Sequence, residues 1–250
     1  MTTWWPFFRL AGAALAVAAI IAQLSRTMSN AIAAETEWGG HLPTVTANFL
    51  SFFTIESNIL AAIALAAGGI WALRQKDAAT TEPRWLAVLL AFASTYMIVT
   101  GVVYNTLLRG IPLPQGGTVP WSNEVLHVVI PLVMLADLLF APRRRALGWS
   151  AVLGAAIFPI VWVVYTLIRA NLIIAPATGE AWWYPYPFLN PHVQGSYGVV
   201  ALYVIGIAAA IIAVAAFVVW VGRRRSAAPD AETAGAVPGY IGGTREFDRE

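Results

Sequence analysis

The chain has 250 residues, 59% of them hydrophobic and 11% charged, with a formal net charge of +2 and no cysteine. A soluble domain carries roughly a quarter charged residues, so an ordinary soluble core is excluded. The small net charge gives no basic surface for nucleic acid, and the absence of cysteine excludes disulfides, thiolate metal sites and a cysteine nucleophile.

The apolar residues fall in long runs. A bilayer core of about 30 Å takes about 20 apolar residues as a helix, and each span must satisfy its own backbone hydrogen bonds. The runs do not alternate as barrel strands would. The expected fold is all-α: a polytopic transmembrane helical bundle of about six spans, over residues 7–25, 47–73, 85–108, 120–141, 148–169 and 197–221. Trp4, Trp5, Trp85, Trp121, Trp149 and Tyr197 mark span ends as an aromatic belt would.

The first run admits a second reading. Arg9, the apolar stretch and Ala31-Ile32-Ala33-Ala34 resemble a signal peptide, whose cleavage would leave five spans. The polar segment from Ser25 to Asn30 separates the apolar run from the small residues and favours an uncleaved span. Basic residues set the orientation. Arg74, Lys76 and Arg84 follow span two, Arg143, Arg144 and Arg145 follow span four, and Arg223, Arg224 and Arg225 close the last. By the positive-inside rule both termini lie in the cytoplasm of a multi-pass protein of the cell membrane.

Residues 1–225 are therefore expected to form the six-helix transmembrane domain. Residues 226–250, rich in Ala, Gly and Pro, are expected to form a disordered cytoplasmic tail. Between spans five and six, Trp182-Trp183-Tyr184-Pro185-Tyr186-Pro187-Phe188 cannot form a regular span. It reads either as an outer loop lying over the bundle or as a plain aromatic anchor at the headgroups.

Polar residues inside spans are costly and mark candidate sites. In span two, Ser51, Thr54 and Asn58 are spaced to share one helical face. In span four, Asn123 and His127 are four apart and share a face, and Asp137 lies near the inner end beside Arg143. Thr54 and His127 each lie about seven residues into their spans, roughly 10 Å below the outer surface. A hydroxyl and an imidazole at matched depth form the minimum pair for nucleophilic acyl chemistry. The bland readings are a Thr bonded to its own backbone, a structural His, and Asn58 and Asn123 as interhelical glue.

Glu56 either snorkels or pairs with Arg109 or Arg169, which end spans three and five. Each of these arginines either anchors its span or binds the carboxylate or phosphate of an amphiphile. Tyr104, Asn105, Trp162 and Tyr165 are candidates to line the same outer cavity. Of three histidines only His127 lies within a span, and no His-Glu-x-x-His pattern occurs, so no metal site is expected.

Three ordered segments carry a resemblance: Phe53-Thr54-Ile55-Glu56-Ser57-Asn58-Ile59-Leu60, then Trp121-Ser122-Asn123-Glu124-Val125-Leu126-His127 followed by Pro131, then Tyr186-Pro187-Phe188-Leu189. Together they resemble bacterial six-span proteins of the Pr6Pr type and, more distantly, the androgen-induced-gene family of membrane hydrolases. The resemblance implies hydrolysis of fatty-acid esters of hydroxy fatty acids by an intramembrane Thr nucleophile and a His, at Thr54 and His127. The chain departs from the animal members in carrying Glu124 where they have a second His. A shifted alignment makes Ser51 the alternative nucleophile.

The expected activity is that of a lipid-ester hydrolase with Asn58 or Asn123 as oxyanion donor. Its expected partners are membrane lipid and a lipid-like substrate, with no cofactor and no nucleic acid. The alternative is a non-enzymatic membrane protein that binds or transports a lipid-like or small ligand. Nothing in the sequence sets an oligomeric state.

Overall fold

A computed structural model describes residues 3–77, 80–111 and 118–227. Its helices, in chain order, are α1 (Trp5–Ile32), α2 (Leu42–Leu50), α3 (Phe53–Arg74), α4 (Arg84–Leu108), α5 (Pro120–Phe140), α6 (Ser150–Ala170), α7 (Pro191–Gln194) and α8 (Tyr197–Ala227). All but α2 and α7 are long and apolar enough to cross a membrane, and the described residues contain no strand. The stretch expected to be a disordered tail lies outside the described residues, apart from its first two positions, which continue the last helix.

Small residues set how closely the helices approach. α1 buries Gly12, Ala13, Ala16 and Ala19, and α3 buries Ala61, Ala64, Gly68 and Gly69; a methyl at Gly69 would stand 2.8 Å from Leu10 of α1. Without large side chains between them, backbones pack closely in a medium that offers no hydrophobic driving force. At Gly68 a methyl would stand 2.9 Å from the Arg9 guanidinium and would displace it.

That guanidinium anchors the basal end of the bundle, where α1 begins and α8 finishes. Arg9 Nε donates to Asp137 at 2.7 Å and Arg9 Nη2 to Glu82 at 2.8 Å. Trp5 Nε1 and Arg144 Nη2 also donate to Asp137, at 2.8 and 2.9 Å. Arg9, Glu82, Asp137 and Arg144 are all buried, two cations against two anions. The expected neighbour of Asp137, Arg143, is not its partner. The chain turns back after Phe140 with Arg143 at a left-handed φ of 65°, which brings Arg144 inward instead.

Two further differences matter. First, α1 continues to Ile32 through the polar stretch that the sequence left outside the span, because its polar groups find partners there: Thr27 bonds Gln23 O, and Gln23 Oε1 accepts from Val119 N. Second, the expected span over 47–73 is broken. Phe52 is extended (φ −72°, ψ 123°), separating α2 from α3. The Ser51 carbonyl released by the break accepts from Trp162 Nε1 at 3.0 Å. Ser51 therefore belongs to the end of α2, and the shared face of Ser51, Thr54 and Asn58 does not exist.

The aromatic segment before α8 folds into the bundle at the end opposite the basal cluster. Trp183, Tyr184, Tyr186, Phe188 and Leu189 are all buried. It is a plug over the helices, and the surface-anchor reading is set aside.

Candidate functional site

The break before α3 creates the site. The first N–H groups of a helix have no partner within it. Thr54 is the second residue of α3, and its N–H donates instead to the Tyr186 hydroxyl at 3.1 Å. The Thr54 side chain lies between two groups: Oγ1 is 3.1 Å from His127 Nε2 and 3.2 Å from the Tyr186 hydroxyl. All three residues are buried.

His127 is presented by a widened turn. Pro131 has no N–H to give to the His127 carbonyl, and its ring crowds that oxygen. The helix relaxes into a π-helical turn over Val125–Val129, a feature often found at functional sites. The neighbouring α4 carries a second one, Tyr104–Leu108, and the Tyr104 ring stacks on His127 with centroids 4.0 Å apart. The helices cross closely here because Gly101 has no side chain: a methyl would lie 2.9 Å from the Pro131 ring.

The hydrogen bonds assign the protons. His127 Nδ1 is 2.9 Å from the Asn123 carbonyl, which can only accept. Nδ1 therefore carries the ring proton, and Nε2 presents its lone pair to Thr54. The Thr54 O–H donates to Nε2, and the Tyr186 O–H donates to Thr54 Oγ1. Burial pushes the Tyr186 phenol up to about 12, with its bonds to Thr54 pulling the other way, so at neutral pH it keeps its proton. The result is a directed chain of donors ending on an imidazole poised as a base.

Thr54 opens onto an apolar cleft between α4, α6 and α8. Its walls include Val103, Pro159, Val163, Ile207 and Ile211, with Tyr104, Trp162 and Tyr186 near Thr54, and among the described residues no charged one lines it. Its interior measures about 140 Å³, room for roughly ten waters at about 10–15 Å³ each. Ile160 and Ile212, both wall residues in mid-helix, are also exposed on the bundle surface, so the cleft opens sideways.

The other expected site residues are placed differently. Asn58 is buried and its Nδ2 donates to the Thr54 and Leu126 carbonyls at 2.8 and 3.0 Å, tying α3 to α5. Asn123 Nδ2 donates to the Tyr104 hydroxyl. Arg109 is exposed and forms a two-pronged pair with Glu124, at 3.0 Å on each prong. Arg169 stacks over Trp183 at 5.5 Å. Ser51 Oγ bonds Ala47 O and the Tyr165 hydroxyl. Glu56 pairs with neither arginine, and its Oε2 is buried without a hydrogen bond. Asn105 is exposed and Tyr165 lies off the cleft, whereas Tyr104 and Trp162 line it. Tyr186 carried no expected role. Its signal was Pro187, which disfavours helical backbone at the residue before it and leaves Tyr186 extended. Among the described residues no three His, Asp or Glu side chains gather as metal ligands.

Fold and polar core define a six-span, all-α membrane protein with a Thr–His–Tyr cluster facing an apolar cleft. No family model, no curated protein and no solved structure matches the chain.

Proposed function

We propose that this protein is an intramembrane hydrolase of lipid esters, acting on fatty-acid esters of hydroxy fatty acids or similar compounds. The observation that carries the reading is the 3.1 Å contact between Thr54 Oγ1 and His127 Nε2, set at the head of an uncharged cleft. The three ordered motifs add kinship with Pr6Pr-type proteins and the androgen-induced-gene hydrolases to the same proposal. The termini are taken as cytoplasmic and the membrane as the cell membrane, on the strength of the basic residues at the basal end.

In this mechanism Thr54 Oγ1 attacks the ester carbonyl while His127 Nε2 takes its proton. Collapse of the tetrahedral intermediate breaks the bond to the alcohol oxygen, which receives that proton from His127. The acyl-threonine is then hydrolysed by water, with Nε2 again as base. Asn123, through its carbonyl, holds the imidazole in the required tautomer. The acyl chain lies in the cleft, entering sideways from the lipid.

The test is labelling of the purified protein in detergent by a fluorophosphonate probe. Labelling is expected in the natural protein and lost in Thr54→Ala and in His127→Ala. Undiminished labelling in both variants discards the assignment. A second reading, non-enzymatic lipid binding or transport, draws on the same cleft. Substrate flux in proteoliposomes that survives Thr54→Ala favours it.

A further inference from the structure

An acyl transfer by Thr54 needs a donor for the negative oxygen of the tetrahedral intermediate. The two asparagines nearest the pair are already engaged. Asn58 spends its amide on two backbone carbonyls, and Asn123 spends its own on Tyr104. One further hydroxyl reaches the reacting oxygen: that of Tyr186, 3.2 Å from Thr54 Oγ1.

We propose that Tyr186 is a catalytic residue, the oxyanion donor of the Thr54 reaction; this rests on the hydrolase reading. In the resting site its O–H points at a lone pair of Thr54 Oγ1. When Oγ1 bonds to the carbonyl carbon, its proton goes to His127 Nε2 and the carbonyl π pair moves onto the carbonyl oxygen. Oγ1 is then an ester-type oxygen and a poorer acceptor. The new alkoxide, attached to the same carbon, is the stronger acceptor within reach of the phenol. The Tyr186 O–H turns from one oxygen to the other by rotation about its own C–O bond. Its bond thus strengthens as charge develops, which is the condition for lowering a barrier rather than merely binding substrate. On collapse the electron pair returns to re-form the carbonyl, the alcohol leaves with the proton from His127, and Tyr186 retains its own proton throughout.

The surroundings hold the phenol ready. Phe52 meets the ring edge-on at 5.6 Å and Phe188 stacks on it at 5.1 Å. The phenol oxygen accepts the Thr54 N–H from the first turn of α3, where the helix carries partial positive charge. That bond polarises the O–H toward its acceptor. Only the hydroxyl hydrogen has to move, so the donor is preorganised.

The experiment compares the natural protein, Thr54→Ala and Tyr186→Phe, each as the full chain in detergent, on a long-chain p-nitrophenyl ester. Binding of a non-hydrolysable ether analogue is measured in parallel. Tyr186→Phe is expected to lower kcat by about 10²–10³-fold, leaving KM and ether binding within about threefold. A kcat within about fivefold of the natural protein overturns the Tyr186 assignment and leaves the hydrolase reading in place. Loss of ether binding in step with kcat marks a structural role and also overturns it. No turnover by the natural protein above that of Thr54→Ala overturns both. If Tyr186→Phe does not fold, 3-fluorotyrosine at this position replaces it. Its more acidic hydroxyl is expected to raise kcat by about twofold or more, and an unchanged kcat overturns the proposal.

Discussion

Thr54 and His127 stand 73 positions apart in the chain and 3.1 Å apart in the bundle. Ser51, only one turn earlier in sequence, has no such partner. Its hydroxyl bonds the Ala47 carbonyl at 2.7 Å and the Tyr165 hydroxyl at 3.2 Å, from the other side of a helix break. Ser51→Ala is therefore expected to label with a fluorophosphonate as the natural protein does. Thr54→Ser, which keeps the hydroxyl, is expected to stay within about tenfold. Acidification is expected to slow labelling of the natural protein, because a protonated Nε2 is a donor and cannot take the Thr54 proton. Labelling rates across a pH series check all three.

The cleft makes a prediction about chain length. Ala156 on α6 and Ala208 on α8 are small residues in its walls. Ala208→Trp is expected to block long acyl chains while sparing short ones. A ratio of long-chain to short-chain ester hydrolysis that falls by about tenfold or more fits a deep acyl site, since filling a pocket by a few methylenes discriminates on that scale. An unchanged ratio places the acyl chain elsewhere.

Gly101 is where α4 and α5 touch beneath the stacked Tyr104 and His127 rings. A methyl at 2.9 Å from the Pro131 ring has no flexible neighbour to push aside. Gly101→Ala is expected to cost about 1–3 kcal/mol of stability, as overpacking does. It is also expected to slow fluorophosphonate labelling, because the imidazole moves with its helix. Melting in detergent and labelling rate report the two effects separately.

At the basal end, Arg9→Met leaves Asp137 and Glu82 buried without their shared cation. Breaking a buried pair from one side costs about 3–5 kcal/mol. A large fall in melting temperature is the expected result, whereas Glu124→Gln, which breaks the exposed pair with Arg109, is expected to leave the melting temperature close to that of the natural protein. Equal effects from the two substitutions would remove the distinction between the clusters.

The six spans were legible from hydropathy because length and composition alone decide what crosses a bilayer. The Thr54–His127 pairing was legible from depth, although it assumed an unbroken helix from residue 47. The break itself left no local mark. No Gly or Pro stands at Ser51–Phe52, and the freed carbonyl is satisfied by Trp162, 111 positions away. Arg9 entered the sequence reading only as the basic residue of a possible signal peptide. Its burial depends on Glu82 from a loop and Asp137 from α5, a coincidence of three distant segments. The aromatic segment carried two readings because composition does not say which side of a ring faces the bundle.

The plug between α6 and α8 also has a consequence for how the protein is made. Its tyrosine comes after five spans in order of synthesis, so the threonine and histidine are laid down before the group that completes their cluster. On the proposed role of Tyr186, a nascent chain halted before position 186 is expected to lack hydrolase activity, which arrives only once the segment between α6 and α8 has packed onto the bundle.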